Sequence, residues 1–271
     1  MFNYFFGSDT RSVKYLDIVH KNHNSITVVT LPHKSSGRGR KLKPNPVEEF
    51  CVDKNIKFSY YNPETVYEKM STGICVSFGK IFSEKFLTRN NSIYNIHLSL
   101  LPSYRGPSPV ENIILNKDKS AGFSIFEINS EVDKGHIFFQ ESFSITGETY
   151  ASEIYDKVCS IFDKEYKVII NHIQREGINN NSPVSKTYKF VKNDYNLQGQ
   201  TLERAKSMIR AFDVIGPAFV LKNNQIFKIH KYTENQHEFP IELLDGILYP
   251  SIITPEGKKT MKIEDYIRGN L

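Results

Sequence analysis

The chain has 271 residues, 39% of them hydrophobic and 24% charged, with a net charge of +5. That is enough chain for one large domain or two unequal ones, and no apolar run approaches the length of a membrane span. Three cysteines, Cys51, Cys75 and Cys159, are odd in number and widely spaced, which argues against a disulfide framework and against a zinc site and for buried, reduced thiols.

Strand and helix signals alternate through the first half of the chain. Phe2 to Phe6 is apolar and ends at Gly7. Arg11 to Lys21 places Val13, Leu16 and Val19 at helical spacing, which fits a first helix better than an organellar presequence. Ile26 to Leu31 is a β-branched run. A cationic stretch follows, with Lys34, Arg38, Arg40, Lys41 and Lys43 and no acid among them. Its glycines and its lack of apolar residues other than Leu42 suit a solvated loop, and a mobile cationic loop suits a phosphate backbone. Asn45-Pro46 opens a helix, with Asn as the N-cap, Pro at the first helical position and Glu48 at the third.

Ile56 to Tyr60 and Ile74 to Val76 read as strands, and Ile81 to Leu87 as a short helix. Val110 to Leu115 reads as a helix, and Phe123 to Ile128 and Ile137 to Ile145 as two strands flanking Asp133. Ala151 to Ile173 reads as one amphipathic helix, and the polar segment Arg175 to Ser185 as a linker. After it come a helix from Thr201 to Phe212 and short strands around Phe219 and Ile226. Alternating βα units predict an α/β fold with a mostly parallel sheet. The expected division is residues 1–178 and 186–271.

Between these elements lies Ile93 to Gly106, IYNIHLSLLPSYRG, a strand running into a loop. Side chains two apart on a strand share a face, so Asn95 and His97 point the same way. Two polar groups at the end of a hydrophobic strand read as a site, although hydrogen-bonded core residues give the same pattern. Pro102 ends the strand, and Arg105-Gly106 starts a turn that supplies a positive charge.

This segment resembles the signature of the folate-dependent formyltransferases, Asn-x-His followed by Ser-Leu-Leu-Pro-x-Tyr-Arg-Gly. In that family an Asp-x-Gly lies downstream, where this chain has Val132-Asp133-Lys134-Gly135-His136-Ile137. Val29 to Val47 looks like the loop of the methionyl-tRNA formyltransferase branch, in which a flanked Gly-Arg-Gly precedes Pro-Val. Phe5 to Asp9, Val76 to Lys80 and Thr201 to Phe212 are similar to further stretches of that branch.

The resemblance implies a Rossmann-like formyltransferase domain followed by a small barrel-like (OB-like) C-terminal domain of tRNA-binding type. It implies a catalytic set of Asn95, His97 and Asp133. Formyl transfer to an amine needs an oxyanion stabilised, an amine proton accepted and both partners oriented. His97 would donate to the oxyanion, Asn95 would add a second donor, and Asp133 would favour the charged imidazole and take the proton. No covalent nucleophile and no metal are called for. The formyl donor would be 10-formyltetrahydrofolate, its pterin beside Phe78 and Gly79 and under Leu100, Leu101 and Pro102, with Ser99 orienting His97 or lining the pocket. Those apolar residues also suit plain packing, and a capping hydroxyl is an equal reading of Ser99. Initiator methionyl-tRNA would be gripped by Arg38, Arg40 and Lys41, with Arg105 anchoring substrate or holding its turn. His136 is read as facing solvent.

Three other functions share the site. One is a formyltransferase for a nucleotide-linked amino sugar, one a hydrolase of the formylfolate, and one an RNA-binding protein on an inactive scaffold. The basic loop favours the tRNA reading, and the intact Asn95, His97 and Asp133 argue against a dead scaffold. A monomer is expected. Its place would be mitochondrial, on similarity to fungal members alone, or otherwise cytoplasmic, since no presequence is visible.

Overall fold

The computed structural model describes residues 2–23, 25–36, 41–180 and 185–269. In chain order its elements begin with β1 (Tyr4–Phe6), α1 (Thr10–Asn22), β2 (Thr27–Thr30), β3 (Lys34–Ser36), β4 (Lys41–Lys43), α2 (Pro46–Asp53), β5 (Phe58–Tyr60), β6 (Gly73–Cys75) and α3 (Glu84–Arg89). There follow β7 (Ile93–His97), α4 (Pro109–Leu115), β8 (Ser120–Glu127), β9 (Ile137–Ser144), α5 (Ala151–Lys164) and α6 (Tyr166–Ile173). The remainder is α7 (Leu202–Ala211), β10 (Ala218–Lys222), β11 (Gln225–Thr233), β12 (Ile241–Glu242), β13 (Ile247–Pro255), β14 (Met261–Lys262) and α8 (Ile263–Arg268).

Two compact units emerge. The first takes Met1–Gly106, Gly122–Ser142 and Asp156–Lys186, and the second Pro107–Ala121, Phe143–Tyr155 and Thr187–Leu271. Each unit draws on more than one stretch of the chain, and the last stretch of the first unit ends at Lys186.

The first unit is built on a seven-stranded sheet of order β5-β2-β1-β6-β7-β8-β9. The strands β5, β2, β1, β6 and β7 run parallel, and β8 is antiparallel to β7. The chain winds outward from β1 to β5, then crosses back to β6 on the other side of β1. Crevices in such sheets open beyond the strand ends where the order reverses. The β1/β6 junction is that point, and β7 is the next strand.

Local chemistry explains the helix starts. Asp9 caps α1 in a reciprocal box with Ser12, and Tyr15, Leu16, Ile18 and Val19 are its buried face. The Asn45 side chain accepts from the backbone N–H groups of Val47 and Glu48 at 3.1 Å each, as expected from Asn-Pro. It also accepts from Thr30 Oγ1 at 3.0 Å and donates to the Leu31 carbonyl at 2.7 Å, so one amide ties α2 to the end of β2. The predicted single helix from Ala151 to Ile173 breaks at Glu165, where ψ is 10°, giving α5 and α6. Neither glycine nor proline marks that break.

An aromatic core fills the space beside the β1 and β6 ends. Phe78, Phe82 and Phe86 stack almost parallel with centroid spacings of 5.4 and 5.1 Å, and Phe6 and Tyr61 meet them edge-on. Each such pair adds about 0.5–1.5 kcal/mol beyond its buried area.

The second unit carries an antiparallel sheet of order β10-β11-β13-β12 with β14 on β13, the barrel-like element that was expected. Register shifts between Ile229 and Tyr232 bend β11. No helix among the described residues is long and apolar enough to cross a membrane.

The Asn45→Ala variant is expected to lose about 1–2 kcal/mol as a broken cap. Loss of its Thr30 and Leu31 bonds should bring the total to the upper end of that range. Urea unfolding checks this through a lowered midpoint at constant slope.

Candidate active site

β7 sets two of the predicted residues. Asn95 pairs with Cys75 of β6 on one side and Phe126 of β8 on the other, and His97 pairs with Ser124. Both lie on the same pleated face at the carboxyl end of the strand. His97 is buried at 6% exposure. Its Nε2 sits 2.8 Å from the Tyr104 carbonyl oxygen, which only accepts, so Nε2 carries a proton. Its Nδ1 faces Asp133 Oδ2 at 3.6 Å. The same oxygen accepts the Gly106 backbone N–H at 2.7 Å. The amide, the imidazole and the carboxylate expected from the sequence therefore belong to one cluster, with the last two in direct contact.

Backbone conformation aims the carboxylate. Asp133 has φ +52°, in the left-handed region that asparagine and aspartate tolerate best. Two residues on, Gly135 passes so close to β8 that a Cβ there would lie 1.5 Å from the Glu127 carbonyl oxygen. The glycine of Asp-x-Gly is thus a requirement of space. Ser77 and Tyr104, in the neighbouring loops, also hold positive φ at +46° and +58°. Left-handed non-glycine residues gathered in loops around one cluster fit a functional site.

What remains free is informative. Asn95 is half-buried, and among the described residues its amide has no hydrogen-bond partner. The second oxygen of Asp133 likewise has none, and this side chain is 16% exposed. A donor and an acceptor stand ready at the mouth of a cluster whose other polar atoms are engaged. Cys75, opposite Asn95, is no nucleophile: burial first, and then the Asp133 charge, push its thiol up.

A family model described as formyl transferase matches residues 4–173. The chain belongs to the formyl transferase family. It is 30% identical over 236 residues to the methionyl-tRNA formyltransferase of Thermosipho melanesiensis, covering 83% of this chain and 77% of the relative. Among solved structures, methionyl-tRNA formyltransferase from Clostridium thermocellum superposes with TM-score 0.62 at 14% identity, over 97% of this chain and all (100%) of that one. HypX from Aquifex aeolicus, solved with tetrahydrofolic acid, gives TM-score 0.69 at 10% identity over 98% of this chain. The chain spans about half (47%) of that protein's length. The structural likenesses speak for the fold alone.

The structure of this formyltransferase shows what surrounds the other residues expected to touch ligands. The Phe78 ring is 2% exposed and stacked on Phe82, so it belongs to the aromatic core. At that loop it is Gly79, with φ +74°, that is exposed, and Ser8 Oγ holds the Phe78 carbonyl at 2.8 Å. Ser99 is fully buried (0%) and donates to the Ser103 carbonyl at 2.6 Å, which makes it a loop-holding hydroxyl. Leu101 packs with Phe126 and Ile137, while Leu100 and Pro102 stay half-buried. Arg105, expected as a substrate anchor, is buried at 3% and its guanidinium bonds Asn180, so it holds its turn from inside. His136 is exposed, as read from the sequence.

Lys41 lies on β4, which pairs with β3 as a two-stranded hairpin; Arg38 and Arg40 lie outside the described residues. No group of three or more His, Cys, Asp or Glu among the described residues is placed to hold a metal ion. The sequence reading passed over the Gly106 N–H, the Tyr104 carbonyl and Asn180. The first two are main-chain atoms that no residue type announces, and the third sits in an asparagine run.

The Gly135→Ala variant should force the Asp133 loop away from β8. An overpacked site of this kind costs about 1–3 kcal/mol. Turnover should fall further than stability alone explains. Melting and steady-state rates on the same preparation test this, and a variant with wild-type values in both would show that the approach to Glu127 is not needed.

Proposed function

We propose that this formyltransferase moves a formyl group from 10-formyltetrahydrofolate to the amino group of methionyl-initiator tRNA. The observation that carries the reading is the contact between Asp133 and His97 beside two unspent polar groups, the Asn95 amide and Asp133 Oδ1. Those groups fit the donor's chemistry, because a formamide-type carbonyl needs one hydrogen-bond donor and the attacking amine one acceptor. When bound, the folate supplies the activated formyl group. The half-buried Leu100 and Pro102 and the exposed Gly79 are the candidates for holding its ring.

Each residue then has a task. The Asn95 amide donates a hydrogen bond to the oxygen on which negative charge develops. Asp133 Oδ1 takes the proton that the amine sheds on attack. His97 cannot be the first donor to the oxyanion while Nε2 stays on the Tyr104 carbonyl, so its part is played through Nδ1. There it lies against Asp133 Oδ2 and holds or returns the proton moved in the reaction. Cys75, buried with its thiol pushed up, takes no part; the amine bonds the formyl carbon, the bond from that carbon to the folate nitrogen breaks, and the proton held at Asp133 passes to that nitrogen.

Support for the tRNA acceptor comes from the cationic hairpin. Lys34 and Lys43 are register partners in the backbone pairing of β3 with β4, and Arg38 and Arg40 lie between the two strands in sequence. A small amino sugar gains little from such a charge run, whereas a phosphate backbone gains much. Relatives named as methionyl-tRNA formyltransferases over most of the chain point the same way.

The His97→Ala variant should lose about 10²–10⁴-fold in transfer rate while keeping its fold and its affinity for tRNA. A single-turnover assay with charged initiator tRNA and, in parallel, nucleotide-linked amino sugars decides the acceptor; formyl gained by the sugar alone would overturn the tRNA reading. If about five phosphates are engaged, binding to tRNA should fall with salt at a log–log slope near −4. Arg38→Ala should lower that slope by about 1 and leave folate binding alone. An unchanged slope would count against the loop.

A further inference from the structure

Of the stretch read from the sequence as a polar linker, the described residues 175–180 and Ser185 make hydrogen bonds within the first unit. Ile178 and Ile137 exchange two backbone hydrogen bonds, of 2.9 and 2.7 Å, which lay the chain along the start of β9. Gly177 allows this, since a Cβ there would lie 2.8 Å from the His136 Cβ and from the Phe138 ring. Further along, Ser185 receives the Tyr104 and Arg105 backbone N–H groups, on its Oγ at 2.8 Å and its carbonyl at 3.0 Å.

Asn180 lies between these two anchors and is 1% exposed. Its Nδ2 donates to the Asp133 carbonyl at 2.9 Å and to the Gly135 carbonyl at 3.3 Å. Its Oδ1 accepts from Arg105 Nη2 at 2.9 Å, and the same guanidinium nitrogen bonds the Asn180 main-chain carbonyl. Both donors of the amide and its oxygen are used in a place closed to water, which is expensive to build and rigid once built. The two segments that Asn180 joins are those whose oxygens lie against the ring nitrogens of His97. Tyr104 holds Nε2 and Asp133 faces Nδ1, while Gly106, beside Arg105, bonds the Asp133 carboxylate.

We propose that Asn180 is a positioning residue for formyl transfer: through Asp133 and Gly135 on one side and Arg105 on the other, its buried amide fixes the Asp133 carboxylate against His97. This rests on the formyl-transfer reading above. No other side-chain amide among the described residues bridges both loops. An aspartate at 180 would keep an acceptor for Arg105 but, once ionised, would put an acceptor oxygen in place of the donating Nδ2, facing the carbonyls of Asp133 and Gly135. Misplacing a reacting group by about 1 Å costs on the order of 100-fold in rate.

The test compares Asn180→Ala and Asn180→Asp with the exposed neighbour Asn179→Ala. The first two should lose about 100-fold in kcat with KM for both substrates within about two-fold, and the third should match wild type. Ring ¹⁵N resonances of His97, assigned with a His97→Gln variant, should shift in Asn180→Asp, recorded at a temperature where that variant, destabilised by its buried acceptor, is still folded. That readout needs no acceptor. If wild-type enzyme formylates nothing offered, the functional reading fails, yet the His97 shift still decides the placement. A folded Asn180→Asp protein with wild-type kcat, or with His97 resonances unmoved, would overturn the role. Should Asn180→Ala not fold, Asn180→Asp carries the comparison alone.

Discussion

One carboxylate oxygen, Asp133 Oδ2, is shared between a backbone N–H at 2.7 Å and an imidazole nitrogen at 3.6 Å. The groups come from a strand, a turn after that strand, and a loop between two later strands. Holding a mostly buried carboxylate this way has a cost in desolvation and in a left-handed backbone, the latter about 1–2 kcal/mol. A charge-assisted hydrogen bond such as the one from Gly106 contributes about 1.5–3 kcal/mol. The two magnitudes are comparable, so the contact is not a large net source of stability. Its value lies in where it puts the second oxygen.

That placement depends on parts of the fold with no chemistry of their own. The loop after β7 is pinned from below by Ser124, which donates to the Ser99 carbonyl at 2.7 Å and accepts the Leu101 N–H at 2.9 Å. Gln140 donates to both the Leu101 carbonyl and Ser124, at 2.9 and 2.8 Å. Gly122 lets Leu100 come down on the sheet, because a Cβ there would meet it at 2.8 Å and the Glu141 carbonyl at 2.3 Å. The aromatic stack does the same for the loop after β6. A rigid frame built of core residues is what allows a few polar groups to be aimed.

The sequence made the candidate set legible because alternation along a strand puts Asn95 and His97 on one face, and the resemblance to the formyltransferase signature pointed to Asp133 downstream. The Asn45 cap was legible because its signal is local, with the capped N–H groups of Val47 and Glu48 within three residues, whereas its bonds to Thr30 and Leu31 were not. Burial of a given apolar side chain was not legible. Phe78 and Leu101 beside a ligand loop look the same whether they meet ligand or core, and only the packing of Phe82, Phe86 and Phe126 decides for the core. The charge on Arg105 misled in the opposite direction, since its partner is 75 residues away. Nor was Asn180 visible, for an asparagine in an asparagine-rich stretch carries no mark of being sealed in.

The state of the thiols shows why aim matters so much here. Burial pushes Cys51 up to about 12 and Cys159 up to about 11, and it drives Cys75, which pairs with Asn95, in the same direction. At neutral pH none of the three offers a thiolate, so no cysteine relay splits the reaction into easier halves. Direct attack by an amine then leaves catalysis to two resources: hydrogen bonds that meet the developing charge, and an acceptor waiting where the proton departs. Both are steep functions of geometry. An enzyme of this kind has reason to bury an arginine and an asparagine behind its catalytic loop, where their polarity would otherwise be a liability, because a solvated hinge could not hold Asp133 to the required position.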